Sequence, residues 1–265
     1  MTVVFPCKSR ITAWLQASEY LLDHGDTLNV ILEISSPEYE DQGTRAASES
    51  IDALYLSESR ARTPVYSIHT VAETIFPGWE YVHRGLAGVY RNYADEYSEF
   101  MKADPRSWGR YARRLTARTA LNGTQFNPLE MMINKMKRAR LDGQAHFRAC
   151  YEIGVDDGPY ELPLYDTTRD GRRVRGGPCL MHLSFKLIDE AVHLTALYRN
   201  HDYRYKVPGN LLGLSRLQWC VANEIGASVG SLVVHSTLAY ISPGGGRGRF
   251  ATLLRTVRGE IAGPN

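Results

Sequence analysis

The stretch PCLMHLSFKLIDEAVHLTALY, residues 178–198, contains two runs in which apolar and polar side chains alternate. The first run covers residues 181–187, the second covers residues 192–198, and the acidic pair Asp189-Glu190 lies between them. Strict alternation is typical of a strand with one buried face, and a short polar break between two such runs favours a tight turn. The stretch therefore predicts an antiparallel hairpin.

Weaker patterns on both sides of this hairpin predict the other elements. Helical spacing of apolar residues predicts helices over residues 9–23 and 70–76 and a helix that starts at Asn127, and short apolar runs predict strands over 30–34 and 231–236. Asn210 is expected to cap a helix that ends at Ile225. We therefore expect an α+β fold, with a largely antiparallel or mixed sheet covered by helices, in a single domain of residues 1–265.

The composition argues against several classes of protein. The chain has 265 residues, is 43% hydrophobic and carries a net charge of +2. Because binding of nucleic acid favours a strongly basic surface, we expect no direct contact with nucleic acid. No run approaches the roughly 18 apolar residues of a membrane span, and the first residues lack a secretory pattern, so a cytoplasmic protein without membrane contact is expected.

The four cysteines are Cys7, Cys150, Cys179 and Cys220, and they are far apart in the sequence. Their spacing does not fit a zinc site, and the eight histidines are scattered. We expect free thiols and no bound metal.

Cys179 is the cysteine whose surroundings favour chemistry. It follows Gly176-Gly177-Pro178 and directly precedes the first strand of the hairpin, where a thiol can face a cleft. Four arginines lie just upstream, and nearby positive charge favours the reactive thiolate. They are Arg169, Arg172, Arg173 and Arg175. The alternative is a buried structural cysteine, because free cysteines are often buried without a chemical role.

Four short motifs occur in a fixed order around this cysteine. Pro178-Cys179 is followed by Arg199-Asn200-His201-Asp202, then by Pro208-Gly209-Asn210, and finally by the segment 236–240, which ends in Tyr240. Their order and spacing resemble those of thymidylate synthases and the related pyrimidine hydroxymethylases. The resemblance covers residues 127–241 and extends more loosely to the segment 72–76. It implies a thymidylate synthase-like fold.

The resemblance implies three catalytic residues. Cys179 would add to C6 of a pyrimidine ring and make C5 nucleophilic toward a one-carbon unit, which divides one difficult step into easier ones. Glu73 would be a buried carboxylate that relays protons near C4. Tyr111 would lie near the nucleophile.

The resemblance also implies a nucleotide site. Arg199, with Asn200 beside it, would hold the 5′-phosphate, although Arg199 could instead be a surface arginine at a strand end. Asn210 would read N3 and the C4 group, since an amide offers the donor and the acceptor that a uracil edge requires, although it could instead only cap its helix. Tyr240 would contact the sugar.

The implied cofactor is 5,10-methylenetetrahydrofolate, and the implied assembly is a homodimer. Asp202 would contact both the nucleotide and the folate. Trp79 lies in the region of the aromatic shield that separates hydroxymethylases from thymidylate synthases, and Tyr90, Tyr93 and Trp108 lie in the same region.

Three departures from the family pattern favour a specialised relative over a housekeeping thymidylate synthase. Gln144-Ala145 stands where the family has an arginine pair for the phosphate, and Leu180 and Leu238 stand where it has histidines. The first hypothesis is therefore a folate-dependent hydroxymethylase acting on C5 of a pyrimidine nucleotide. The alternatives are a C5 methyltransferase of the thymidylate synthase type and a non-catalytic protein that binds a nucleotide or a partner.

Overall fold

The computed structural model describes residues 2–60, 64–101, 111–120, 122–141, 150–155 and 178–263. The strands are β1 (Val3–Cys7), β2 (Thr27–Ile34), β3 (Arg118–Thr119), β4 (Gln125–Phe126), β5 (Glu152–Gly154), β6 (Leu180–Ile188), β7 (Ala191–Tyr198), β8 (His201–Asp202) and β9 (Ser228–Tyr240). The helices are α1 (Arg10–His24), α2 (Gln42–Glu58), α3 (Ile68–Ile75), α4 (Gly78–Met101), α5 (Tyr111–Thr116), α6 (Pro128–Leu141), α7 (Val207–Ile225) and α8 (Arg247–Ala262).

The main sheet has the order β1-β2-β9-β7-β6-β5, with β8 beside β9. Strands β6 and β7 form the predicted antiparallel hairpin. Asp189 and Glu190 connect them with positive φ angles of 49° and 58°, as a two-residue type I′ turn requires. The pairs β1–β2 and β7–β9 are parallel, so the sheet is mixed. The α+β class predicted from the sequence is confirmed.

Among the boundaries that differ from the sequence prediction, those of α7 and β9 bear on the site. Helix α7 begins at Val207, with Pro208 in its first turn, so Asn210 lies inside the helix and does not cap it. Strand β9 runs over Ser228–Tyr240 and is much longer than the predicted segment, because it pairs with β2 on one side and with β7 and β8 on the other. In contrast, the predicted cap of α6 is present, since Oδ1 of Asn127 accepts a hydrogen bond from the backbone N of Glu130 at 3.0 Å.

Helices α1 and α7 pack against one face of the sheet and bury its apolar side chains, including Leu32, Leu194 and Val234. Trp14 of α1 is fully buried and donates from Nε1 to the backbone oxygen of Tyr203 at 2.6 Å. This contact fixes the segment after β8 against the core. Within the described residues, no helix is long and apolar enough to cross a membrane.

Helix α3 packs closely on the first turns of α7. A Cβ atom at Gly209 would lie 2.4 Å from Cβ of Val71, and one at Gly213 would lie 2.7 Å from the backbone oxygen of Ala72. Only glycine permits this approach, which brings the side chains of α3 over the start of α7.

Candidate active site

A cavity of about 730 Å³ lies between α3, the start of α7 and the ends of the central strands. It is lined by all of the site residues predicted from the sequence except Arg199 and Trp79, namely Cys179, Glu73, Tyr111, Asn200, Asp202, Asn210 and Tyr240. These residues come from elements that are far apart in the chain, and their convergence on one cavity follows only from the fold. A cavity of this size suits a ligand the size of a nucleotide.

Cys179 lies directly before β6, where its backbone is held by Tyr111. The hydroxyl oxygen of Tyr111 accepts hydrogen bonds from the backbone N of Cys179 at 3.0 Å and from the backbone N of Leu180 at 3.3 Å. On the other side, the backbone oxygen of Cys179 accepts a hydrogen bond from the backbone N of Arg199 at 2.9 Å. Helix α5 and the end of β7 therefore fix the position of the thiol.

Burial is the largest influence on the Cys179 thiol, and it raises the pKa above the ordinary value. The positive charges of Arg199 and Lys206 act in the opposite direction and lower this pKa, whereas Asp202 raises it. The thiolate is therefore the minor form at neutral pH in the unliganded protein. The four upstream arginines that favoured a reactive Cys179 in the sequence lie outside the described residues.

Asp202 is buried and its carboxylate is held from two directions. Oδ2 accepts a hydrogen bond from Oγ of Ser242 at 2.6 Å, and Oδ1 accepts from the backbone N of Arg204 at 3.0 Å. The second contact stabilises the turn between β8 and α7. Asp202 thus lines the cavity with a fixed orientation.

Asn210 does not serve as a helix cap, which corrects that interpretation of the sequence. Only 6% of the residue is exposed, and its Nδ2 lies 2.9 Å from Nε2 of His201. Because its side chain is held at the cavity wall, its amide is available for recognition of a ligand.

Asn200 and Arg199 lie at the end of β7. The amide oxygen of Asn200 is buried and accepts no hydrogen bond from the described residues, although this residue lines the cavity. A buried polar atom without a partner carries a free-energy cost that a ligand can relieve. Arg199 is partly buried, and its positive charge lowers the pKa of Cys179.

Glu73 and Trp79 depart from the expected arrangement. Glu73 lines the cavity, but 32% of its side chain is exposed and it forms an ion pair of 2.9 Å with Arg216, so it is not the fully buried carboxylate expected from the sequence. Trp79 is 54% exposed and stacks on His83 at a centroid distance of 4.3 Å. It does not line the cavity, and its contact with a folate stays a prediction.

Several cavity residues were not predicted from the sequence. They are Tyr66, Thr70, Val71, Thr74, His201 and Lys206. Lys206 lies with Nζ 5.7 Å from the ring centroid of Tyr66 and brings a second positive charge near Cys179. The available signal for His201 and Lys206 was their position between Arg199 and Asn210 in the motif region.

Comparisons with known proteins show similarity in one segment of the sequence and in the fold. Relatives named "Putative thymidylate synthase" occur in Methanococcoides burtonii, at 42% identity over 80 residues, and in Methanosarcina barkeri, at 41% identity over 80 residues. The fold is similar to that of the thermostable thymidylate synthase A from Bacillus subtilis, with a TM-score of 0.52 and 10% sequence identity over 95% of this chain and 84% of that chain. The chain therefore has a thymidylate synthase-like fold, and part of its sequence is similar to these relatives.

The sequence similarity to these relatives covers only part of each chain. The aligned segment covers 30% of this chain and 35% of each of these two relatives, so the match spans about a third of their length. No family model matches the chain. The activity, the substrates and the partners are therefore argued from the site.

The departures from the thymidylate synthase pattern lie in different places. Gln144-Ala145 falls outside the described residues. Leu180 is fully buried in β6, and Leu238 is partly buried in β9, where it pairs with Leu28 of β2. Neither leucine lines the cavity.

In the part of the chain that the structure describes, no cluster of three His, Cys, Asp or Glu residues could hold a metal ion, and the absence of a metal stays a prediction.

Proposed function

We propose that this protein transfers a one-carbon unit to C5 of a pyrimidine nucleotide, with Cys179 as the nucleophile. The observation that carries this proposal is the single cavity that unites Cys179 and Tyr111 with Asn210, Asp202 and Tyr240. A nucleophile, a base-reading amide and a hydroxyl for the sugar are the groups that this reaction needs.

Cys179 would form a bond from its sulfur to C6 of the ring, which places negative charge on C5 and its conjugated C4 oxygen. Tyr111 positions the thiol through the backbone of Cys179, and its own O–H remains available at the cavity. Glu73, at the same cavity, would hold a water that exchanges protons with the ring. The positive charges of Arg199 and Lys206 lower the pKa of Cys179 and so favour the thiolate that attacks the ring.

Recognition of the nucleotide would be divided among the other residues. Asn210 reads the N3 and C4 edge, and Tyr240 contacts the sugar. Arg199 and Asn200 would hold the phosphate, and the unsatisfied amide of Asn200 supports a polar ligand group at this position.

The residues present also fit 5,10-methylenetetrahydrofolate, which would supply the one-carbon unit. The cavity extends from Cys179 along α3 to Tyr66, and Tyr66 is 49% exposed. An aromatic ring at the open end of a cavity suits the stacking of a flat ligand. Asp202 lines the same cavity and would orient both ligands.

Within this reaction, hydroxymethylation is our first proposal and methylation is the second. A hydroxymethyl product needs water at the carbon attached to C5, whereas a methyl product needs hydride. Trp79, one of the aromatic residues in the region expected to shield this carbon, lies outside the cavity lining, which favours access of water.

The protein would act as a cytoplasmic homodimer. Helices cover one face of the sheet, whereas Ile31, Val233 and Leu197 on the opposite face stay partly exposed. A second copy of the chain could cover this apolar face. Light scattering after gel filtration would test the proposed homodimer, and a monomeric mass would contradict it.

Release of tritium from C5 tests the proposed function. Labelled UMP, dUMP, CMP and dCMP would be incubated with and without methylenetetrahydrofolate, using Cys179→Ser as the control. Folate-dependent release from one nucleotide, lost in the variant, is the expected result. The products would then be separated to identify a hydroxymethyl or a methyl group.

A second candidate is a protein that binds the nucleotide without turnover, which Gln144-Ala145 in place of the family's arginine pair favours. Cys179→Ser would then bind nucleotides as the wild type does, and neither protein would release tritium. Release by the wild type excludes this candidate.

A further inference from the structure

A chain of hydrogen bonds leads from the cavity wall into the sheet. Nδ2 of Asn210 lies 2.9 Å from Nε2 of His201, and Nδ1 of His201 lies 2.9 Å from Oγ of Ser236 in β9. Ser236 is fully buried, and only 1% of His201 is exposed. Asn210 and His201 line the cavity, whereas Ser236 lies behind it.

The ring of His201 is held in place by its neighbours. It stacks on Tyr198 at a centroid distance of 3.9 Å and an interplanar angle of 6°, and it meets Tyr203 edge to face at 5.7 Å. The imidazole therefore cannot turn over without disrupting both contacts. Its two nitrogens keep separate partners.

The partners of His201 determine its tautomer. Burial lowers the pKa of His201 to about 3, so the ring is neutral at physiological pH. A neutral imidazole has one N–H donor and one acceptor nitrogen, and the Nδ2 group of Asn210 can only donate. Nε2 therefore accepts from Asn210, and the ring proton on Nδ1 is donated to Ser236.

The tautomer of His201 and the orientation of the Asn210 amide are coupled. One N–H of the amide points to His201, which leaves the second N–H and the carbonyl oxygen as a donor and acceptor edge for the cavity. For a ring held with C6 at Cys179, this edge matches the C4 oxygen and the N3–H of uracil. If the proton moved to Nε2, the amide would turn by 180°, and the edge would match the C4 amino group and N3 of cytosine.

We propose that His201, held in its Nδ1–H tautomer by Ser236, is a positioning residue that fixes the Asn210 amide for uracil rather than cytosine. This inference rests on the proposed function, because the ring must lie with C6 at Cys179. The inference names the base of the substrate as uracil. It also names the residues behind the cavity that select this base.

Ser236→Ala tests the inference without changing any group that lines the cavity. The alanine removes the acceptor for Nδ1–H, so the proton is expected to move to Nε2 and the amide to turn. Two quantities would be measured: the tautomer of His201 by ¹⁵N NMR of the imidazole, and the ratio of affinities for dUMP over dCMP by calorimetry. We expect Nδ1–H in the wild type, a population of Nε2–H in Ser236→Ala, and a ratio lowered about tenfold.

Ser231→Ala is the matched control. Ser231 lies on the same strand, and its Oγ is 2.9 Å from Nδ1 of His193, but neither residue lines the cavity. This variant loses the same kind of contact and should keep the wild-type ratio. His201→Gln, which keeps an acceptor near Asn210, should retain more of the base preference than His201→Leu.

The outcomes separate the inference from the proposed function. An Nε2–H tautomer in the wild type, or an unchanged ratio in Ser236→Ala, would overturn the inference. Intact binding with the predicted ratios but no release of C5 tritium would refute one-carbon transfer and support the inference, because neither the tautomer nor the affinity requires turnover. A wild-type protein that binds no pyrimidine nucleotide would overturn both.

Discussion

At the scale of single residues, the ionisation of Cys179 depends on opposing effects of burial and charge. Burial raises the pKa of the thiol, while Arg199 and Lys206 lower it. Alkylation of Cys179 should therefore become faster as the pH rises through and above the ordinary thiol range, since the thiolate is the reacting form. In Lys206→Gln the pKa should rise further, and the rate between pH 7 and pH 9 should fall about threefold.

The measurement for Lys206→Gln is the rate of iodoacetamide labelling at each cysteine by mass spectrometry, with the exposed Cys150 as the internal reference. Lys135→Gln, on the exposed side of α6, is the matched control and should leave the rate unchanged. Equal rates in the wild type and Lys206→Gln would show that the charge of Lys206 does not reach the thiol.

Tyr111 supports the nucleophile through hydrogen bonds to the backbone. Tyr111→Phe would leave the backbone N–H groups of Cys179 and Leu180 without their acceptor. We expect the free energy of unfolding in urea to fall by about 1–3 kcal/mol, with lower tritium release because the thiol is less well placed. Tyr39→Phe, which loses a hydroxyl contact with Asp41 near the surface, should change neither quantity appreciably.

At the scale of elements, the contact between α3 and α7 shapes the cavity. A Cβ atom at Gly213 would lie 2.7 Å from the backbone oxygen of Ala72 and 2.9 Å from Cβ of Ile75, so Gly213→Ala must push α3 outward. We expect a loss of about 1–3 kcal/mol in urea unfolding, and weaker nucleotide binding because α3 carries Glu73.

Gly259→Ala is the matched control for Gly213→Ala. Gly259 lies in α8 with no atom near the added Cβ, so alanine should stabilise the helix by about 0.5–1 kcal/mol and leave binding unchanged. Equal effects of the two substitutions would argue against a tight α3–α7 contact.

Elements with a strong local pattern could be predicted from the sequence, and elements defined by distant partners could not. The β6–β7 hairpin has an alternation broken only at Leu197 and an acidic turn, and the predicted strands and their pairing are confirmed. The full length of β9 depends on β2 and β7, and the β1–β2 pair is parallel, so neither has a local signal. The prediction that Asn210 caps its helix is wrong, because the helix starts earlier, at Val207 with Pro208 in its first turn.

The same distinction applies to the candidate site. Cys179, Asp202, Asn210 and Tyr240 could be recognised from motif spacing, and the structure brings them to one cavity. Tyr66 comes from a different part of the chain, with no motif to mark it. The role of His201 depends on Ser236 across the sheet, and no sequence pattern indicates that contact.

At the scale of the whole molecule, a buried ion pair links the first quarter of the chain to the segment beneath the cavity. Arg204 is fully buried and donates from Nη2 to Oε1 of Glu58 at 2.5 Å, and Tyr205 donates its hydroxyl to Oε2 of Glu58 at 2.6 Å. Nη1 of Arg204 also donates to the backbone oxygen of Gly246 at 3.1 Å. Helix α2, the turn after β8 and the loop before α8 therefore meet at one charged group.

Glu58→Gln would leave the charge of Arg204 buried without its counterion, and we expect a loss of about 3 kcal/mol at pH 7. Burial raises the pKa of Glu58, but hydrogen bonds from Tyr205 and Arg204, together with the charge of Arg204, outweigh it and hold the pKa below the ordinary value. A lowered pKa in the folded state gives stability that is present above the pKa of the unfolded chain and is lost as the pH falls through the folded value. The difference between wild type and variant should thus be constant from pH 8 to about pH 5 and shrink below about pH 4.

Urea unfolding of both proteins between pH 3 and pH 8 measures this difference directly, with Glu49→Gln on the exposed side of α2 as the matched control. A difference that does not depend on pH would mean that the shape of the glutamate, and not its charge, stabilises the contact. Because Arg204 lies two residues after Asp202 in the turn that leads to α7, loss of the ion pair should also weaken nucleotide binding at pH 7. Glu49→Gln should leave that binding unchanged, so the comparison shows whether the buried charge pair is needed to hold the cavity in its binding geometry.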